Sequence, residues 1–314
     1  MSTSANHSRP AGRNRRTRSL LGIEQLQPEE IQALLRLARR MNPEKPRPIL
    51  RNRRVALLFY ETSTRTRVSF EFAAKALGAA TTIVHAKSSS IEKGESLVDT
   101  GYTLRATGAD AIVIRHPASG APHLLAQHLD IPVINAGDGM HEHPTQALLD
   151  AYTILRHRKS ISGLRVAMVG DIYHSRVARS NIHLLSRFGA QITLCGPPEL
   201  APDVVATLVP GLRLSRHLDD AIRGADVILM LRVQKERLAG VKVRVSDYVA
   251  AYQLTAERLK LARRDALVMH PGPMIRGMEL TSEVADGPQS VIREQVENGV
   301  AVRMAVLATA LGRK

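Results

Sequence analysis

The chain contains 314 residues, of which 44% are hydrophobic and 23% are charged, a composition typical of a globular protein large enough for two domains of about 150 residues. No apolar run approaches the roughly 18 residues that span a membrane, and the single cysteine, Cys195, excludes an intrachain disulfide and a cysteine-rich zinc module. The formal net charge of +15 favours anionic partners, but aromatic residues make up only 3% of the chain, which leaves few stacking surfaces for single-stranded nucleic acid.

The first nineteen residues contain five arginines, no acidic residue and no apolar periodicity. This composition predicts a disordered basic tail over residues 1–19. An organellar transit peptide is the alternative, because such segments are rich in arginine and serine and poor in acids. A secretory signal is excluded, since no apolar segment follows the charged start. With a single cysteine in the chain, we expect a reducing, cytoplasmic setting.

From Leu20 onward, strand-like and helix-like segments alternate. Pro28, Glu29 and Glu30 begin a helix, because acidic residues in a first turn complement the helix dipole. Short apolar runs predict strands over residues 54–59, 81–84, 111–114, 132–134, 165–169, 191–194, 226–231 and 266–269, with helices between most of them, including 67–77, 145–156 and 291–311. The alternation predicts the α/β class, with two domains that are each a parallel β-sheet flanked by helices.

The domain boundary is expected near the helix over residues 145–156. A turn at residues 161–163 follows it, and a second series of strands and helices then begins. We therefore expect one domain from residues 20–150 together with 292–314, because the closing helix is expected to pack back on the first half. The second domain is expected over residues 151–291.

A run of hydroxyl and arginine residues follows the first long strand, at Ser63, Thr64, Arg65, Thr66 and Arg67. The helix start that follows offers unpaired backbone N–H groups and partial positive charge, and Arg65 adds a planar donor pair that fits phosphate oxygens. A Walker A loop is absent, so a nucleoside triphosphate is not indicated. An N-capped helix with surface arginines is the alternative. The unbroken succession of such residues at a strand end favours a phosphate site.

Further polar residues follow other predicted strands of the first half. Arg115 ends one of them, at the edge where parallel sheets bind ligands. His141, Glu142 and His143 suggest a metal site, but they lack the His-Glu-x-x-His spacing, so no metal is expected. His143 and Gln146 lie instead at a helix start, where they can hydrogen-bond a carbonyl and an amide.

The second half contains comparable segments. Residues 169–176 link a strand to a helix without the Gly-x-Gly-x-x-Gly pattern, so a nicotinamide cofactor is not expected, and Arg176 projects from this loop. Arg232 begins a charged run after another strand, a pattern that alone is also typical of a solvated helix start. Pro271 and Gly272 belong to a rigid turn that offers backbone carbonyls.

Taken together and in order, these segments resemble the aspartate carbamoyltransferase branch of the aspartate/ornithine carbamoyltransferase family, over almost the whole chain from Leu20. Residues 63–67 resemble its carbamoyl-phosphate motif, and the His-Pro-Thr-Gln of residues 143–146 is similarly shared. Residues 88–96, which alone indicate only a solvated loop, are similar to the family's mobile loop. Residues 270–273 read His-Pro-Gly-Pro where ornithine enzymes have His-Cys-Leu-Pro, and the Ser-Met-Gly loop of ornithine enzymes is missing.

The resemblance implies transfer of the carbamoyl group of carbamoyl phosphate to the amino group of L-aspartate, which gives N-carbamoyl-L-aspartate and phosphate on the route to pyrimidines. It implies neither a cofactor nor a metal. It also implies a homotrimer with shared active sites, and it is compatible with a larger assembly that includes regulatory chains or a dihydroorotase. The alternatives are another amino acceptor such as ornithine and, with less support, a basic nucleic-acid-binding protein.

The resemblance further implies a role for each matched residue. The carbamoyl-phosphate set is Ser63, Thr64, Arg65, Thr66, Arg115, His143, Gln146, Pro271 and Gly272. The aspartate set is Lys93, Arg176, Arg232 and Gln234. The catalytic set is Arg65, Thr66, Lys93, Arg115 and His143, and the residues contributed by the adjacent subunit are Ser89 and Lys93. Gly272 replaces a leucine common in the family, and Glu92 precedes Lys93 where some members have a second lysine.

Overall fold

The computed structural model describes residues 18–85, 94–233 and 243–312. Most of the predicted basic tail over residues 1–19 lies outside the described residues, as do Ser89, Lys93 and Gln234. Within the described part of the chain, no helix combines the length and the apolar character needed to cross a membrane.

The first sheet contains four parallel strands in the order β2-β1-β3-β4. Its strands are β1 (Arg54–Phe59), β2 (Ala80–His85), β3 (Ala111–His116) and β4 (Val133–Asp138), and the helices of this half are α1 (Pro28–Ala38), α2 (Thr64–Ala76), α3 (Leu97–Ala106), α4 (Ala121–His128) and α5 (Pro144–His157). Strands β1 and β4 are buried almost throughout, as expected for parallel strands covered by helices on both faces.

The second sheet contains five parallel strands in the order β7-β6-β5-β8-β9. Its strands are β5 (Arg165–Val169), β6 (Gln191–Cys195), β7 (Arg213–Ser215), β8 (Val227–Met230) and β9 (Leu267–Met269), and the helices are α6 (Arg176–Arg187), α7 (Leu218–Ile222), α8 (Val245–Tyr252), α9 (Ala256–Leu259), α10 (Ser282–Asp286) and α11 (Ile292–Leu311). The predicted fold class, two parallel sheets flanked by helices, is therefore confirmed.

Two element boundaries differ by three residues or more from the sequence-based expectation. Strand β4 continues to Asp138 rather than ending at residue 134, because the amide of buried Asn135 donates to the Leu21 carbonyl and to Asp138 Oδ1, each at 2.8 Å. These partners let polar residues extend a buried strand. Helix α2 begins at Thr64 rather than at residue 67, so the hydroxyl and arginine residues form its first turn.

Helix α11 connects the two halves of the chain. It follows the last strand of the second sheet and packs against α1, α2 and α5 of the first half. It is buried on most of its surface, which explains why its apolar residues show no single face. The expected domain limits stay a prediction, and this packing supports the assignment of residues 292–314 to the first domain.

Candidate active site

Four arginines lie at the carboxyl ends of strands, or just after them. In each sheet, these strands flank the point at which the strand order reverses. The order reverses between β1 and β3 in the first sheet and between β5 and β8 in the second. Arg65 follows β1, Arg115 lies at the end of β3, Arg176 begins α6 after β5, and Arg232 follows β8. Open parallel sheets bind ligands at such points, beyond the carboxyl ends of the strands. The topology alone therefore places these cations at two ligand-binding crevices.

The first turn of α2 forms one wall. Ser63 precedes the helix and its side chain makes no capping hydrogen bond, so its hydroxyl is not used by the helix. The backbone N–H groups of a first turn have no intrahelical partner. The Ser69 hydroxyl donates to the carbonyl oxygens of Arg65 at 2.6 Å and Thr66 at 3.0 Å, which fixes this turn from within the helix. The turn therefore offers rigid donors to an anion.

The carboxylate of Glu61 connects arginines from the two sheets. Its Oε2 accepts hydrogen bonds from Nε of Arg115 at 3.1 Å and from Nη2 of Arg176 at 2.6 Å. Gly137 leaves room for both guanidinium groups, because a Cβ there would lie 3.0 Å from Nε of Arg176 and 3.4 Å from Nη1 of Arg115. Burial, together with the charge of Arg176, lowers the pKa of Arg115 to about 10, so Arg115 remains charged at neutral pH.

His143 stands immediately before α5 and is 4% exposed. Its backbone N–H donates to Ser180 Oγ at 2.8 Å. Burial, followed by the charges of Arg115, Arg176 and Arg303, holds the pKa of His143 well below its ordinary value, so the ring is neutral near pH 7. A neutral imidazole has one N–H and can donate to a carbonyl oxygen without adding charge to the site.

The carboxylate of Asp150 lies one helical turn beyond Gln146 and is fully buried. Its Oδ1 accepts from Nε2 of Gln146 at 2.9 Å and from Nε2 of Gln295 at 2.7 Å. Its Oδ2 accepts from Nδ2 of Asn181 at 2.8 Å. Burial raises the pKa of Asp150 to about 6, and the three amide donors oppose that rise. The carboxylate thus connects helices α5, α6 and α11.

The turn after β9, residues 270–273, lies against Arg65. A Cβ on Gly272, whose φ is +69°, would lie 2.6 Å from Cζ of Arg65. The N–H of Gly272 donates to Nδ1 of His270 at 2.8 Å. Burial, followed by the charges of Arg65 and Arg232, lowers the pKa of His270 to about 3, so this ring is also neutral. Arg65 follows a strand of the first sheet and Arg232 follows a strand of the second, and the charge of each acts on this ring.

Residues from both sheets line one cavity of about 680 Å³. Every predicted site residue within residues 18–85, 94–233 and 243–312 lines it, namely Ser63, Thr64, Arg65, Thr66, Arg115, His143, Gln146, Arg176, Arg232, Pro271 and Gly272. The remaining predicted residues, Ser89, Lys93 and Gln234, lie outside the described part of the chain. The individual roles of all these residues stay predictions.

Several cavity residues were not predicted from the sequence, including Glu61, Ser69, His174, Gln295 and Arg303. Glu61 belongs to the polar run after β1. It is an acidic residue next to a run of arginines, and this pattern could have identified it as a partner of those arginines. Gln295 and Arg303 lie two helical turns apart on α11, with Gly299 between them on the same face. A polar and small stripe on an otherwise apolar helix could have identified this face.

Among the described residues, one group of side chains is close enough to hold a metal ion: His123, Asp138 and His141, whose ligand atoms lie within 4.8 Å of one another. The Asp138 carboxylate already accepts hydrogen bonds from the backbone N–H groups of Gly120 at 2.7 Å and Glu142 at 3.1 Å. It also pairs with Nδ1 of His141 at 3.1 Å. These contacts fix the segment that leads to the catalytic candidate at position 143, and His143 itself is not part of the group.

Comparisons with known proteins agree with this geometry. Residues 18–156 match the family described as "Aspartate/ornithine carbamoyltransferase, carbamoyl-P binding domain", and residues 162–310 match its "Asp/Orn binding domain". The aspartate carbamoyltransferase catalytic subunit of Koribacter versatilis is 64% identical over 96% of this chain and 99% of its own length.

Two solved structures have the same fold. Aspartate transcarbamoylase from Trypanosoma cruzi, in complex with N-(phosphonacetyl)-L-aspartic acid, is 32% identical with a TM-score of 0.84, covering 93% of this chain and 95% of its own. Ornithine carbamoyltransferase from Pyrococcus furiosus is 30% identical with a TM-score of 0.82, covering 93% and 96%. The fold is therefore common to both acceptor specificities.

Proposed function

The chain belongs to the aspartate/ornithine carbamoyltransferase family, and we propose that it transfers the carbamoyl group of carbamoyl phosphate to L-aspartate, giving N-carbamoyl-L-aspartate and phosphate. One observation carries the proposal: Arg65, Arg115, Arg176 and Arg232, supplied by two separate sheets, line a single cavity. Carbamoyl phosphate and aspartate are both multiply charged anions, and a shared site for them requires cations from more than one direction. The aspartate carbamoyltransferase relative at 64% identity supports the same reaction.

The wall formed by the first turn of α2 is suited to the phosphate group. Its backbone N–H groups, the hydroxyls of Ser63, Thr64 and Thr66, and the Arg65 guanidinium all supply donors. Arg115 lies beside them at the end of β3. The family resemblance assigns Lys93 of the adjacent subunit to the same cavity, as a catalytic and aspartate-binding residue.

The carbamoyl group belongs between α2 and α5. Arg115, His143 and Thr66 donate to its carbonyl oxygen and stabilise the negative charge that develops there during attack. Loss of one such donor typically costs about 10²–10³ in rate. Gln146 and the backbone carbonyls of residues 271–272 accept hydrogen bonds from the carbamoyl NH2.

Aspartate belongs on the side of the second sheet. Arg176 and Arg232 bind its carboxylates, and Gln234 is assigned to the same role by resemblance. The amine of aspartate attacks the carbamoyl carbon, the bond to the phosphate oxygen breaks, and the departing phosphate accepts the amine proton. Alignment of the two reactants can supply about 7–11 kcal/mol of the barrier reduction, so a covalent intermediate is not required.

The charge of the cavity favours aspartate over ornithine as the acceptor. The side chain of aspartate is a carboxylate, whereas that of ornithine is an ammonium, which Arg176 and Arg232 would repel. The Ser-Met-Gly loop of ornithine enzymes is also missing from the sequence.

We further propose that the protein is a homotrimer with shared active sites, located in the cytoplasm. The resemblance of residues 88–96 to a loop that enters a neighbouring site supports the trimer. Large apolar side chains exposed on α2, α3 and α4, namely Phe72, Tyr102 and Leu124, support a subunit contact on the first half of the chain. The single buried cysteine suits a reducing compartment.

A steady-state assay tests the function. Purified protein with carbamoyl phosphate is expected to release phosphate and carbamoylated product with L-aspartate, and to release neither with L-ornithine. A mimic carrying a phosphonate and two carboxylates is expected to bind tightly and to raise the melting temperature, because it joins both substrate charges in one molecule. Turnover of ornithine alone would remove the substrate assignment.

A further inference from the structure

The buried carboxylate of Asp150 lies where it can determine whether hydrogen-bond acceptors or donors face the carbamoyl group. Its side chain is 1% exposed and does not line the cavity, so it acts through neighbours that do. Two of its three amide partners, Gln146 and Gln295, line the cavity. The third, Asn181, belongs to the helix that begins with Arg176.

An ionised carboxylate only accepts hydrogen bonds, and this fixes the orientation of the amide groups around it. Each side-chain amide must direct its NH2 group toward Asp150, so each amide oxygen points elsewhere. For Gln295 the consequence is visible, because its Oε1 accepts from the backbone N–H of His270 at 2.9 Å. For Gln146 the same rule leaves Oε1 as the acceptor on the cavity side.

The two partners therefore connect Asp150 to both groups assigned to the carbamoyl NH2. One connection runs through the amide of Gln146. The other runs through Gln295 to His270, the first residue of the turn in which Pro271 and Gly272 line the cavity. The family resemblance assigns the carbonyls of these two residues to the carbamoyl NH2. A single carboxylate thus presents acceptors, rather than donors, to that part of the cavity.

We propose that Asp150 is a positioning residue that holds these acceptors toward the carbamoyl NH2 and so selects carbamoyl phosphate over acyl phosphates that lack an N–H in its place. The inference rests on the proposed function. It names the residue that makes the enzyme specific for carbamoyl phosphate. A site built to hydrogen-bond an N–H discriminates strongly against an analogue without one, because its buried polar groups are then left unpaired. Acetyl phosphate is the matched probe, since a methyl group replaces the amide nitrogen.

The test compares Asp150→Leu and Gln295→Met with the unmodified enzyme. Asp150→Leu removes the carboxylate that accepts from all three amides. Gln295→Met removes only the connection to the turn after β9, so it carries the test if the first variant does not fold. Thr153→Val is the matched control: Thr153 is buried on the same helix, donates to the Leu149 carbonyl at 2.8 Å and accepts from Asn298 at 2.9 Å. Within the described part of the chain, its hydrogen bonds to Leu149 and Asn298 involve none of the three amides bound by Asp150.

For Asp150→Leu we expect kcat/KM with carbamoyl phosphate to fall by about 10²-fold, as is typical when a reacting group is misplaced by a small distance. The inhibition constants of acetyl phosphate and of inorganic phosphate are expected to change by less than about threefold, because neither ligand uses the acceptors. Gln295→Met is expected to show a smaller loss of kcat/KM that is again selective for carbamoyl phosphate. Thr153→Val is expected to show no loss.

Equal losses for carbamoyl phosphate and acetyl phosphate would assign Asp150 a purely structural role and overturn the proposal. Unchanged kinetics in folded variants would overturn it as well. These outcomes differ from failure of the proposed function, in which the unmodified protein itself would transfer no carbamoyl group to aspartate.

Discussion

His143 illustrates how the fold changes the chemistry of a single residue. In water this ring would titrate near neutral pH, but in the folded protein it is almost completely buried and lies near three arginines. Each of these influences disfavours the imidazolium, so the folded protein keeps the ring neutral and able to donate one hydrogen bond. The residue is therefore suited to polarise a carbonyl oxygen rather than to transfer protons as a charged acid.

A prediction for His143 follows from this environment. Because its pKa lies well below the ordinary value, its ring resonances should not titrate between about pH 6 and pH 8. His141 is an internal control, since its hydrogen bond to Asp138 raises its pKa above the ordinary value and its protonated form should persist to higher pH. Histidine-selective NMR titration of the unliganded protein measures both. A His143 midpoint near 6.5 would contradict the structure.

At the residue scale, the sequence identified site residues that stand close together in the chain. Ser63 to Thr66 and His143 to Gln146 are compact patterns at predicted strand and helix ends, so local chemistry was sufficient to select them. Gln295 was not identified, because its link to Asp150 joins residues separated by 145 positions. No local pattern reports a hydrogen bond of that kind; only the packing of α11 on α5 creates it.

At the scale of elements, Glu61 joins the loop after β1 to the start of α6 and so couples the two sheets. One carboxylate oxygen accepts from both Arg115 and Arg176. It offsets the repulsion between the two guanidinium groups and fixes their positions before substrate binds. Charge-assisted hydrogen bonds to a partly buried carboxylate are stronger than those between neutral groups.

We expect Glu61→Gln to distinguish two effects of this carboxylate, the orientation of Arg176 and the net charge of the cavity. The kcat/KM for aspartate should fall by about tenfold or more, because Arg176 loses the charged partner that fixes it. Inorganic phosphate should inhibit more strongly, because the cavity gains net positive charge. Inhibition constants and steady-state kinetics measure both changes. Asp130→Asn, which removes the exposed partner of Arg105, is the control and should change neither quantity. Parallel weakening of aspartate and phosphate would show that Glu61 acts only on folding.

The elements themselves were predictable to different degrees. Strands β1, β5 and β6 follow continuous apolar runs, and their predicted limits agree with the structure to within a residue. Strand β7 was not predicted, because it contains only three residues, none of them buried, and depends on pairing with β6 rather than on its own pattern. Helix α2 was placed too late because its first turn is occupied by residues that also suit a loop.

At the scale of the whole molecule, local sequence patterns predicted two sheets, whereas the expectation that their cations share one site came from the family resemblance. The first half contributes Arg65 and Arg115 and the second contributes Arg176 and Arg232. Their convergence depends on Glu61, on the Asp150 cluster and on α11, all of which join distant parts of the chain. A cavity between two halves is therefore a property of packing, and chain order alone could not establish it.

The proposed trimer leads to a prediction about mixed subunits. If Lys93 of one subunit completes the site of its neighbour, then Arg65→Ala inactivates the subunit's own site, whereas Lys93→Ala inactivates the adjacent one. In a ring of three, any mixture of the two variants contains one site with both residues intact. Mixed trimers should therefore recover about a third of the activity of the unmodified enzyme, whereas each variant alone is nearly inactive.

The control for this experiment combines Arg65→Ala with a chain that carries both substitutions, because no arrangement of those two chains rebuilds a site. Mixed trimers can be separated by a charged tag on one of the chains before assay. If the mixture of Arg65→Ala and Lys93→Ala chains is active and the control mixture is not, residues of two subunits must act in one cavity. If verified mixed trimers stayed as inactive as their parents, Lys93 would have to serve its own subunit, and the site would be complete within one chain.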